Sequence, residues 1–173
     1  ITVQDMMALL SGLLLGPVYG SAAVIIFLVL GSIGLPVFSG KGGVNIILNG
    51  PTGGFLAGYL FGAFTAGLIL YFALDARAHK RRAFISGKDE QTSVPPKKNA
   101  AAEIMSIVTA AFSATVILFA LGIARFCFLL PNKTFREVLF ITLIPFIPGN
   151  LIKIAIMTLL TKKLRPVLQN YFG

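Results

Sequence analysis

The chain has 173 residues, of which 56% are hydrophobic and 12% charged, and its formal net charge is +9. A soluble domain carries about 25% charged residues, so this balance excludes an ordinary water-soluble globule and indicates one membrane-embedded domain over 1–173. The positive charge would suggest nucleic acid in a soluble chain, but here the cations gather at 75–99 and after Leu160, as membrane topology favours.

In chain order, Met6 to Leu15 is the first apolar run, preceded by the polar Gln4 and Asp5. Ten helical residues rise about 15 Å against a bilayer core of roughly 30 Å, so this predicts a short or tilted span. Gly16-Pro17 should break it. Ala8, Gly12, Gly16 and Gly20 recur every fourth residue, which places small side chains on one face for close helix packing. Val18 to Leu35 is a second, uncharged span.

Gly34-Leu35-Pro36-Val37-Phe38-Ser39-Gly40-Lys41-Gly42-Gly43 follows, and then Gly50-Pro51-Thr52-Gly53-Gly54. This connection alternates glycine with Leu, Val, Phe and Ile rather than with solvating residues. It should therefore fold back on the embedded body, where irregular backbone survives only if protein covers it or it lines a cavity. A lid or floor of a binding site is the expected role. Gly54 to Leu74 is the third span, with a second small-residue seam at Gly54, Gly58, Gly62 and Ala66.

The hydrophilic stretch 75–99 carries Arg77, Lys80, Arg81, Arg82, Lys88, Lys97 and Lys98 against Asp75, Asp89 and Glu90, and Val94-Pro95-Pro96 precludes continuous helix there. It reads as a basic linker within the domain. His79 has no companion ligands for a metal and reads as solvated. Ala100 to Leu130 is the fourth long helix, with Glu103 suited to the dipole of its first turn. Cys127 reads as a small buried hydrophobe. A turn at Pro131-Asn132-Lys133, an interfacial helix over Thr134 to Ile144 and a break at Pro145 to Asn150 come next. A last helix begins over Leu151 to Leu160 and ends in Lys162, Lys163, Arg165 and Pro166.

Positive loops face the cytoplasm. This puts the 75–99 linker and the C-terminal tail inside, and the 34–54 connection, the 131–148 connection and Ile1 outside. No signal peptide is recognisable at Ile1, so an additional helix running outward from a cytoplasmic start is expected upstream.

Chemistry concentrates at Asn150 and Lys153, three residues apart and so on one helix face. A lysine flanked by Leu151, Ile152, Ile154, Ala155 and Ile156 must face the bundle interior or snorkel to the interface. Its functional reading is an ammonium meeting an anionic or carbonyl group of a ligand, with Asn150 offering donors and an acceptor for an amide or ureido group. No nucleophile–His–acid set, paired carboxylates or metal cluster supports catalysis. Gly40-Lys41 is not a phosphate loop, because five residues separate Gly34 from Gly40 and Gly42 follows the lysine.

Gly34-Leu35-Pro36-Val37-Phe38, Gly40-Lys41-Gly42-Gly43 and Gly50-Pro51-Thr52-Gly53-Gly54-Phe55 resemble the loop signature of the BioY family, the biotin-specific substrate-capture (S) components of energy-coupling factor (ECF) transporters. Ile1-Thr2-Val3-Gln4 with Leu13-Leu14-Leu15-Gly16-Pro17, and Pro145 to Lys153 with Leu164-Arg165-Pro166, resemble its first outer loop and last helix. The resemblance implies an all-α, six-helix membrane bundle, with the first helix missing from this chain, that binds biotin near its outer face. It implies no enzyme activity and no cofactor, biotin being the transported substrate. The implied partners are the lipid bilayer, a transmembrane coupling protein and two ATP-binding subunits, with no nucleic acid. By position, Lys153 would contact biotin and Asn150 would stand where the family usually has Asp. Lys41, Gly42, Gly43, Thr52, Gly53 and Phe55 would belong to the substrate-enclosing loops, and Gln4 would approach from the first outer loop. Asp5 follows Gln4 where a neutral residue is expected. Alternatives are the same scaffold tuned to another vitamin or anion, motivated by Asn150, and a structural subunit whose loop only packs.

Overall fold

The computed structural model describes residues 3–75, 100–129, 135–142 and 144–172. The linker beyond Asp75, with its cations and His79, and the expected turn Pro131 to Lys133 lie outside the described residues.

Among the described residues the regular elements are all helical, joined by turns and the non-helical connection 33–43. α1 spans Gln4–Ser32, α2 Val44–Leu48 and α3 Gly53–Leu70, which continues through a π-helical turn, Tyr71–Asp75. After the linker come α4, Ala100–Leu129, and α5, Phe135–Thr142. A 3-10 turn, Ile144–Phe146, leads into α6, Ile147–Phe172. Among the described residues four stretches are, by length and composition, apolar enough to cross a membrane: α1, Gly53–Leu74, α4, and Phe135–Leu168, which holds α5 and most of α6. Val18, Ile33, Phe61, Phe112, Phe128 and Leu159 stand exposed on the outside, as a lipid-facing surface requires.

α1 is a hairpin. Gly16 sits at φ 82°, ψ −177°, a region open essentially to glycine alone. Pro17 then starts the second arm, where its missing N–H is no loss. Ser11 clasps the arms, its Oγ within 2.7 Å of the Ala8 carbonyl and 3.2 Å of the Gly20 carbonyl across the turn. The break expected at Gly16-Pro17 is thus a full reversal.

The two seams do different jobs. Along α3, Gly54 lies against Leu121 and Arg125, Gly58 against Leu118 and Gly62 against Ala114. The partner number falls as α3 advances, so α3 and α4 run antiparallel with backbones in near contact. On the other side Gly12 meets Ala63, and the Gly16-Pro17 turn meets Gly67. The numbers rise together, so the first arm of α1 runs parallel to α3. Leu13, Ala63, Ala66, Leu70, Ala110, Ala111 and Ala114 are fully enclosed between these elements.

Helix boundaries differ from expectation at α6. The helix starts at Ile147, not Leu151, because Pro148 falls in its first turn, where a proline fits without disrupting any hydrogen bond. It also continues through Pro166. Asn150 and Lys153 therefore share one helical face with defined geometry.

Candidate functional site

The parallel packing of the first α1 arm on α3 brings Asp5 near Tyr59, one helical turn beyond Phe55. α6 closes the corner from the other side. Lys153 Nζ donates to both carboxylate oxygens of Asp5, at 2.8 Å to Oδ1 and 2.7 Å to Oδ2. The side chains are 9% and 14% exposed, so the ammonium faces the bundle and does not snorkel. A desolvated ammonium is costly unless a counter-charge meets it. Among the described residues Asp5 is the acid recorded against it. Tyr59 is buried within range of the Asp5 charge.

The glycine-rich connection folds onto the same end of the bundle. Phe38 and Lys41 exchange backbone hydrogen bonds of 2.9 and 3.1 Å around a two-residue turn. Ser39 at φ 52° and Gly40 at φ 81° give that turn the left-handed backbone of a primed hairpin turn. Phe38 is buried against Gly31 and meets the edge of Phe27, with ring centroids 5.5 Å apart. Gly43 N–H donates to the Gly31 carbonyl at 2.7 Å. Ser39 Oγ donates to Gln4 Oε1 at 3.3 Å, so the turn touches the residue next to Asp5. The connection is also less irregular than expected: it contains α2, whose last residue, Leu48, accepts through its carbonyl a hydrogen bond from the Arg125 guanidinium of α4.

The sequence-predicted residues fall into three groups. Lys153 and Gln4 stand at the corner, and Asn150 is half-buried one turn before Lys153 on α6. Gly42 and Gly43 shape the folded-back connection, Gly42 packing on the Gly34 and Leu35 carbonyls. Lys41 and Thr52 are exposed, and Gly53 packs on the Ile47 carbonyl. Phe55 is an aromatic packing residue, edge-on to Phe119 at 5.9 Å and to Phe126 at 6.1 Å. Phe119 in turn meets Phe146, just before α6, at 6.5 Å. Asp5, Tyr59 and Ser39 join the corner without having been singled out as site residues. The unusual acid beside Gln4 was the one available signal.

Between the arms of α1 lies a mostly apolar cleft of about 220 Å³, lined by Gln4, Met7, Ala8 and Ser11 from one arm and Ala23, Val24 and Phe27 from the other. It shares Gln4 with the corner. Among the described residues no cluster of three His, Cys, Asp or Glu side chains could hold a metal ion. The corner brings together a paired cation and anion, with the Gln4 amide beside Asp5 and the half-buried Asn150 amide one turn from Lys153.

The sequence pattern of the BioY family matches residues 1–170. A protein of Rhodobacter capsulatus named biotin transporter BioY is 33% identical over 94% of this chain and 76% of its own length. One of the same name from Thermotoga maritima is 46% identical over 39% of this chain. The chain spans about 40% of the length of that relative in the match. The crystal structure of the S-component for biotin from an ECF-type ABC transporter superposes with a TM-score of 0.69 at 29% identity, over 96% of this chain and 75% of that one. The chain belongs to the BioY family.

Proposed function

We propose that this chain takes part in membrane uptake of biotin, as a substrate-binding component with a pocket open to the outer face and no ATPase activity of its own. The observation that carries this reading is the enclosed Lys153, held at the corner where α6, the first arm of α1 and the glycine-rich connection converge. Family membership and relatives named as biotin transporters supply the ligand. In this reading Lys153, Asn150 and Gln4 contact biotin. Gly42, Gly43 and the turn before α3, with Lys41, Thr52, Gly53 and Phe55 in or beside these loops, enclose it. No cofactor is required.

The chain forms a single domain in the cell membrane, with the 75–99 linker and the C-terminal tail in the cytoplasm. Its partners are a transmembrane coupling protein and two ATP-binding subunits, after the ECF-type assembly named for the structural neighbour. Equilibrium binding of labelled biotin to the detergent-purified chain tests the reading. Saturable binding that Lys153→Ala weakens by about tenfold or more, as loss of a charge-assisted contact should, supports it. Binding of a different vitamin with no biotin binding would favour the retuned scaffold. A folded protein that binds neither would leave only a structural role.

A further inference from the structure

Lys153 has a partner before any ligand arrives. Both Asp5 oxygens sit on its ammonium, at 2.7 and 2.8 Å, and both side chains are largely withdrawn from water. A free ammonium in such a place would attract a carboxylate strongly. A neutralised one does not, because an incoming anion must displace Asp5 and leave a second carboxylate stranded where solvent cannot compensate it. The pair taken as a unit still has unused capacity: an ammonium has three donors, and a carboxylate about four acceptor positions. Such a unit matches an uncharged group that both donates and accepts. Asn150, half-buried one turn from Lys153, has the same mixed character.

We infer that Asp5 determines how the site treats ligand charge: by neutralising Lys153 it makes the corner a reader of an uncharged donor–acceptor group, such as the ureido ring of biotin, and not of the ligand's carboxylate. This rests on the biotin reading above. Asp5 is a positioning residue for Lys153 and a specificity determinant. The counter-charge comes from the first arm of α1, at the far end of the sequence from Lys153.

The test measures the affinities of the purified full chain for biotin and for biotinamide, which lacks the carboxylate charge. The wild-type chain should bind the two within about tenfold of each other. Asp5→Asn frees the ammonium and should raise the preference for biotin by about tenfold or more, the scale of a charge-assisted hydrogen bond. Asp5→Asn combined with Asn150→Asp returns an acid to Lys153 from three residues away on its own helix, and should restore the wild-type ratio. A wild-type preference for biotin beyond tenfold, or a ratio that Asp5→Asn raises by less, overturns the inference while leaving biotin uptake standing. If Asp5→Asn binds neither ligand, the double variant decides: recovered binding supports the counter-charge role, and continued loss overturns it. Wild-type protein that binds neither compound removes the biotin reading and this inference with it.

Discussion

The α3–α4 seam and the Asp5–Lys153 corner hold the bundle together by opposite means. In the seam, Gly54, Gly58 and Gly62 let two backbones nearly touch, and the attraction is spread over many weak contacts. At the corner, two side chains from opposite ends of the chain meet in one bidentate ion pair. The seam tolerates no added volume, and the corner tolerates no unbalanced charge. The seam thus holds by shape alone, and the corner concentrates its chemistry in one pair of side chains.

Unbalancing the corner should have the largest effect. Lys153→Met leaves Asp5 enclosed without its partner, and Asp5→Leu does the reverse; each should cost about 3–5 kcal/mol. The double variant should recover much of that, since a well-packed apolar pair often replaces a buried ion pair without loss. Thermal unfolding in detergent of all four proteins completes the cycle, and additive losses would show that the two groups do not act as a pair. Next comes volume in the seam. Gly58→Leu pushes a side chain against the Leu118 backbone, with an expected loss of about 3 kcal/mol. A near-neutral result would mean that α3 and α4 can move apart.

Gly16→Ala meets no neighbouring atom but must adopt the hairpin's positive φ. About 1–3 kcal/mol of strain should follow, visible as a lower melting temperature. Thr52→Ala should change stability by less than about 0.5 kcal/mol, because this N-cap side chain makes no capping hydrogen bond and is exposed. A clear fall in biotin affinity from that substitution would bring Thr52 into the corner's chemistry and blur the contrast.

The two regions were unequally legible in the sequence. The seam could be read from spacing, because a helix repeats its face every three to four residues whatever it packs against. Gly16-Pro17 was readable as a break, but its sharpness depended on a backbone angle that composition alone does not reveal. Lys153 declared itself as a cation among aliphatic neighbours. Its partner did not, since nothing local links residues 5 and 153; only the packing of α1 and α6 brings them together. Phe55 could be read as a neighbour of the loop motif, but its edge-on contacts with Phe119 and Phe126 depend on the packing of α3 on α4 and could not be. Helix boundaries slipped at Pro148 because a proline that ends one helix is equally at home in the first turn of the next.

The shortness of the leading arm of α1 also fixes a depth. From Asp5 to the reversal at Gly16 the helix rises roughly 16 Å, about half the apolar thickness of a bilayer. The reversal packs on Gly67, well short of where α3 and its π-helical continuation end at Asp75, and Lys153 lies within two turns of the start of α6, so in the proposed orientation the charged pair stands near the outer end of the bundle and the reversal deep within it. A vitamin would then meet the pair after a short descent, with the tip of the hairpin as the floor beneath it.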